Sequence, residues 1–205
     1  ERSFALNHAM LRWLEESQLQ PGRSEAELAW AIEKYFRDNG ASGLAFPSIV
    51  AVDQNAALPH AIPGEKKLPD NGLVLVDVGC RVDGYCSDQT RTFWVGDAPH
   101  KEFRETMKLV RDAQQAALDK MRPGLPLHEA YTLARGVFEK AGVEAWFTHG
   151  VGLETHEAPS LGRRGDKVLQ EGMVVTVEPG LYYPQWGGIR WEYTVLITAD
   201  GNRIL

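Results

Sequence analysis

Cysteine is scarce in this 205-residue chain, with Cys80 and Cys86 the only two. Their spacing does not match a zinc knuckle. They fall near the two sides of one predicted hairpin, on opposite faces, and read as reduced thiols of a cytosolic protein. Long apolar runs are missing too. No stretch approaches the roughly 20 residues that a bilayer span requires, and the first residues lack the basic-then-apolar profile of a signal peptide. Basic runs are equally short, Arg163-Arg164 being a pair and not a patch. With a formal net charge of -6 and a pI near 5.5, the chain is not expected to bind nucleic acid or an anionic membrane surface. A cytoplasmic location is expected. An initiating methionine is also lacking: the chain starts at Glu1 and enters directly on an amphipathic stretch of Phe4, Leu6, Met10, Leu11, Trp13 and Leu14. That start is expected of a fragment of something longer. What remains is an ordinary globular composition, 43% apolar and 24% charged. It is enough to bury one substantial core, in one domain or two small ones.

Apolar periodicity predicts a helix over Arg2 to Leu19. Ser24 with Glu27 forms a capping box that opens a second helix, running to about Asn39 and stopping at Gly40. Ala45 to Val52 and Gly72 to Val95 are rich in β-branched and aromatic residues and read as strands, with Asp83-Gly84 the clearest turn signal between them. Pro99 is placed for the first turn of a long helix that ends before Pro123-Gly124, and a further helix runs from about Leu127 to Gly142. Strands resume at Met173 to Glu178 and Ile189 to Thr198. The expected class is α+β.

The two halves overlay with an offset of 102 residues, which sets Pro21-Gly22 on Pro123-Gly124, Glu27 on Glu129, Phe36 on Phe138 and Gly40 on Gly142. Proline and glycine punctuate helices anywhere, so these matches alone carry little. The acids add weight, because within two residues of the same offset Asp77 falls on Glu178 and Asp88 on Glu192. Each half then supplies helix, helix and a strand pair bearing two acids. A site is expected where the halves meet, a common place for ligand pockets.

Asp77 ends an almost wholly apolar run, Leu73-Val74-Leu75-Val76-Asp77, so its carboxylate is expected in or near the core. A turn centred on Val82-Asp83 sets Asp77 directly opposite Asp88, with Cβ atoms roughly 5 Å apart; a turn at Asp83-Gly84 makes them diagonal neighbours at roughly 7 Å. Both registers keep the pair on one face. Met173 to Gly180 repeats the design, an apolar strand ending in Glu178 before a sharp turn. In Ile189 to Val195, alternation sets Arg190, Glu192 and Thr194 on one face, which read alone is the polar side of a solvent-facing strand. His149 and His156 stand seven apart in a run containing Gly150 and Gly152, and glycines there allow close backbone approach. His60, read by spacing alone, is a loop residue. Several acids gathered in an interior require a compensating cation, and one histidine among oxygen donors suits hard to borderline divalent metals.

These runs together resemble the pita-bread metallopeptidases, the family of aminopeptidase P, prolidase and methionine aminopeptidase. The resemblance rests on Val76-Asp77-Val78-Gly79, on Ser87-Asp88-Gln89-Thr90-Arg91-Thr92-Phe93, on His149 to Glu157, on Val177-Glu178-Pro179-Gly180 and on Arg190 with Glu192. It covers nearly the whole chain. It implies two pseudo-symmetric halves around a curved antiparallel sheet, residues 1–205 forming one catalytic domain without the family's N-terminal domain. It implies two divalent ions, Mn²⁺ ahead of Co²⁺ or Zn²⁺, held by Asp77, Asp88, His149, Glu178 and Glu192, with Asp88 and Glu192 bridging. Ala57-Leu58-Pro59-His60-Ala61 and Glu157-Ala158-Pro159-Ser160 are similar to the prolidase and aminopeptidase P branch. A proline-containing peptide is the implied substrate, a homodimer the implied assembly, and His60 a substrate contact.

The sequence departs from that branch in two places. Its members carry a histidine four residues before the ligand histidine, where this chain has Ala145. His149 keeps the ligand's distance from His156, yet Phe147-Thr148-His149 equally matches what precedes the upstream histidine, and on that alignment a ligand is missing. Tyr193 stands where an aspartate usually follows the last glutamate. The implied mechanism is attack on the Xaa-Pro carbonyl by a water or hydroxide between the ions. Glu178 relays the proton, His156 stabilises the oxyanion, His60 assists and Arg190 orients a carboxylate of the metal site or of the substrate. A metal-free creatinase-like hydrolase and a non-catalytic peptide-binding module are the competing readings.

Overall fold

The computed structural model describes residues 1–143 and 167–205. Helix α1 (Arg2–Ser17) is followed by α2 (Glu25–Asp38), whose start is fixed by the expected capping box. The Ser24 Oγ accepts from the Glu27 N–H at 3.1 Å, while a Glu27 carboxylate oxygen accepts from the Ser24 N–H at 2.7 Å, satisfying two of the helix's open donors. Short strands β1 (Gly43–Leu44) and β2 (Ile49–Val52) follow, then a 3₁₀ turn over Asp53–Ala57. The strand expected from Ala45 therefore begins at Ile49. Pro47, which has no N–H to give a ladder, stands just before it.

The central hairpin runs through β3 (Gly72–Val78), β4 (Cys80–Val82), β5 (Tyr85–Cys86) and β6 (Gln89–Val95). Asp83 and Gly84 both have positive φ, 52° and 85°. That is the type I′ signature, and its twist matches the flanking strands. Val82 therefore faces Tyr85 and Asp77 faces Thr90. Of the two registers considered, the directly opposed one is corrected: Asp88, two residues from Thr90, is the diagonal neighbour of Asp77. Cys80 and Cys86 are buried and unbridged. Cys86 pairs across with Arg81, the residue next to Cys80, so the two thiols lie on opposite faces.

The second half contains α3 (Lys101–Leu118), α4 (Leu127–Lys140), β7 (Val174–Val177), β8 (Gly180–Tyr183), β9 (Gly187–Arg190), β10 (Tyr193–Ile197) and β11 (Asn202–Ile204). Pro99 lies outside α3. His100 is the N-cap, its Nδ1 accepting from the Phe103 N–H at 3.0 Å. The expected continuous strand from Ile189 to Thr198 is also corrected. It breaks at Trp191-Glu192, because β9 pairs with β8 while β10 pairs with β7 and β11. Between them the Trp191 N–H bonds the Pro179 carbonyl and the Glu192 N–H bonds the Thr90 carbonyl, at 3.2 and 3.1 Å.

The 102-residue offset is structural. Helix α2 and helix α4 begin at 25 and 127 and end at 38 and 140. Gly22 donates to the Leu68 carbonyl as Gly124 donates to that of Leu169, both at 2.8 Å, and Phe36 and Phe138 are each fully buried. All strand pairings among the described residues are antiparallel.

Each half packs its own helices on one face of its strands. Met10, Leu14, Leu28, Ile32 and Phe36 cover Val74, Val76, Val78, Phe93 and Val95. Val110, Leu118, Ala134 and Phe138 lie in the same cluster as Val175, Val177, Val195 and Ile197. Side chains alternate along a strand, so Asp77, Thr90 and Thr92 in one half, and Thr176, Glu178 and Thr194 in the other, turn away from their helices and toward the opposite half. Among the described residues no helix is long and apolar enough to cross a membrane.

Candidate metal centre

The inward faces converge. One carboxylate oxygen from each of Asp77, Asp88 and Glu192 lies within 4.8 Å of the others. Asp88 and Glu192 are 4% and 1% exposed, whereas Asp77 and Glu178 are half-buried. Asp88 and Glu192 are thus the more deeply buried pair. Arg190, Glu192 and Thr194 are all buried, so the face they share is not the solvent side of its strand, in line with reading Glu192 as the partner of Glu178.

Burial at this density reshapes the acids. Desolvation raises the Asp88 pKa well above its usual carboxylate range, and Glu192, Asp77 and Glu178 raise it further while Arg190 opposes them. Glu192 is raised by the same desolvation and by Glu178 and Asp77, against a hydrogen bond from Thr90 and the charge of Arg190. For Arg190, desolvation alone would lower the pKa, but Tyr182, Asp77 and Glu178 outweigh it and the guanidinium stays charged. Four carboxylates around one guanidinium leave a negative excess.

A network of bonds sets the orientation of these groups. Arg190 donates from Nη2 to Asp77 Oδ2 at 2.6 Å, from Nε to Thr90 Oγ1 at 3.0 Å and from Nη1 to the Tyr182 hydroxyl at 2.8 Å. Thr90 Oγ1 lies 2.8 Å from Glu192 Oε2, and Thr176 donates to Glu178 at 3.0 Å. Thr194 holds the Asp88 carbonyl at 3.0 Å. Gln114, from α3, donates to the carbonyls of Val177 and Trp191, fixing the backbone just before Glu178 and Glu192.

The residues fit a cation on an observation of their own. Asp77 Oδ1 and Glu192 Oε1 are buried and have no hydrogen-bond partner among the described residues. Buried acceptors left this way typically cost about 1–3 kcal/mol each, more when charged, unless an ion meets them.

His60 lies on an exposed turn after the 3₁₀ segment, and it makes no hydrogen bond to the acids among the described residues. His149 and His156 lie outside the described residues. Sequence reasoning set Thr194 on the face of Arg190 and Glu192 without giving it a role, and assigned none to Thr90, Thr176, Tyr182 or Gln114. The one usable signal was Thr176, the single polar residue in the apolar run from Met173 to Val177.

Comparison with known proteins places the chain in a family. The model of metallopeptidase family M24 matches residues 1–199. The chain is 39% identical over 192 residues to an Xaa-Pro dipeptidase of Pyrococcus furiosus, covering 92% of this chain and 55% of that protein. It is 40% identical over 191 residues to an uncharacterized peptidase of Bacillus subtilis, covering 54% of it. Among solved structures, the prolidase from Pyrococcus furiosus superposes with a TM-score of 0.93 at 35% identity, over 98% of this chain and 60% of that one. An X-Pro aminopeptidase from Thermotoga maritima gives 0.93 at 32% identity, over 99% and 58%. The fold is the pita-bread fold, and the chain spans a little over half the length of the curated relatives it matches.

Proposed function

The chain belongs to metallopeptidase family M24, and from that premise we propose that it is a metal-dependent exopeptidase hydrolysing Xaa-Pro bonds, in dipeptides or at the N-terminus of longer peptides. The observation that carries this reading is the convergence of Asp77, Asp88 and Glu192, one carboxylate oxygen of each lying within 4.8 Å of the others. The similarity to an Xaa-Pro dipeptidase supports the choice of bond. We take residues 1–205 as a single catalytic domain, working in the cytoplasm as a homodimer.

In this proposal Asp77, Asp88, His149, Glu178 and Glu192 would hold two divalent ions, Mn²⁺ ahead of Co²⁺ or Zn²⁺. When bound, the ions supply an activated water and a polarised scissile carbonyl. The side chains do the rest. Glu178, half-buried and oriented by Thr176, takes the proton of the attacking water and passes it to the departing proline nitrogen. Arg190 keeps Asp77 oriented through the 2.6 Å bond between them. His156 donates to the oxyanion of the tetrahedral intermediate, and His60 contacts the proline side of the substrate.

The test is peptide cleavage by chelator-stripped protein, before and after Mn²⁺ is restored, on an Xaa-Pro dipeptide and on a longer peptide beginning Xaa-Pro. Cleavage of at least one of them should appear only after restoration, and the pair of substrates separates dipeptidase from aminopeptidase. Equal cleavage with and without the ion would contradict the proposal.

A further inference from the structure

We infer that Thr90, which is not in the proposed ligand set, is a positioning residue that holds Glu192 for the metal as the middle link of a buried chain Asp77–Arg190–Thr90–Glu192. The inference rests on the metallopeptidase reading. Thr90 is fully buried on β6, and its hydroxyl has two side-chain neighbours, Arg190 Nε at 3.0 Å and Glu192 Oε2 at 2.8 Å. A guanidinium nitrogen can only donate. The hydroxyl oxygen therefore accepts from Arg190, and its single proton is left for Glu192.

The direction of the chain follows. Arg190 donates at one end to Asp77 Oδ2 and, through Thr90, at the other end to Glu192 Oε2. Each terminal carboxylate is held by one oxygen, and the other oxygen of each, Asp77 Oδ1 and Glu192 Oε1, is buried without a partner among the described residues. Neighbouring threonines behave differently. Thr92 bonds the Arg190 carbonyl and Thr194 the Asp88 carbonyl, both at 3.0 Å, which is strand stitching. Thr90 instead spends its proton on a carboxylate 102 residues away, joining an acid of one half to an acid of the other. Groups that orient metal ligands in this way typically cost 10–100-fold in metal affinity when removed.

The experiment compares Mn²⁺ affinity, by calorimetry on chelator-stripped protein, for the wild type, Thr90→Val and Thr90→Ser, with the thermal midpoint of each stripped protein measured alongside. Thr90→Val keeps the shape and removes the hydroxyl, and should bind at least one ion roughly 10–100-fold more weakly. Thr90→Ser restores the hydroxyl and should return toward wild type. Should the valine variant fail to fold, Thr90→Ala carries the same expectation. A merely structural threonine would lower the stripped protein's midpoint and leave the Mn²⁺ affinity unchanged. Wild-type affinity in the folded hydroxyl-less variant therefore overturns the inference while the metallopeptidase reading stands. A wild type that binds no metal overturns that reading, and this inference with it.

Discussion

At the scale of single residues, the site is a set of acids crowded against one another in and near the core. Asp88 is the clearest case, 4% exposed and raised first by desolvation and then by three carboxylate neighbours. Because it lies between the two halves, its loss should remove metal binding and not merely weaken it. Asp88→Ala is expected to abolish Mn²⁺-dependent cleavage while the variant still folds, since the substitution relieves the desolvation of a buried carboxyl crowded by Glu192, Asp77 and Glu178. Full activity in that variant, in the same peptide assay, would sink the ligand assignment. Asp77 was legible from sequence because it ends an apolar run and shares one face of a hairpin with Asp88; a lone aspartate near a glycine reads as readily as a cap or turn residue. Thr90 was not, since a threonine in a β-rich segment is ordinary and only the arrival of Arg190 and Glu192 from the other half gives its hydroxyl a role. His60 showed no signature either, and its exposed turn offers none now.

Among the elements, helix boundaries were the most readable because their signals are local. The Ser24 and Glu27 box closes both of its bonds, whereas its counterpart in the second half has Pro126 at the N-cap and no side-chain cap. Ser24→Ala should therefore cost about 1 kcal/mol, read as a thermal midpoint lower by roughly 2–4 °C, with Mn²⁺ affinity unchanged. A midpoint equal to wild type would remove the box from the account. Strands were harder. The alternation of Ile189 to Val195 reads as one strand because side-chain pattern does not report hydrogen-bond partners, which change at Trp191-Glu192 from β8 to β7. That change of sheet carries Glu192 to Thr90, and periodicity cannot show it. The sequence admits two turns for the hairpin, and positive φ at both Asp83 and Gly84 selects one.

For the molecule as a whole, the repeat decides where the charges go. Two similar halves each direct their helices outward and their acids inward, so the acids meet at the join. The consequence is a linkage between metal, proton and stability. Asp88 and Glu192 have pKa values raised above 3.8 and 4.5 in the folded protein. Folding without a cation therefore favours their protonated forms. The unfolded chain releases those protons near pH 4, and the folded chain only at higher pH. Stability of the stripped protein from these two groups is thus fully present below about pH 4 and declines as pH rises toward their folded values. On the proposed ligation, bound ions would replace the protons, and the loaded protein would not bear that loss. The most direct measurement is the thermal midpoint of chelator-stripped and Mn²⁺-loaded protein, taken side by side from about pH 5 to about pH 8. The loaded protein should melt higher, and the gap should widen as pH rises. Coincident midpoints, or a gap that does not change with pH, would contradict the claim that these buried acids are built around a cation.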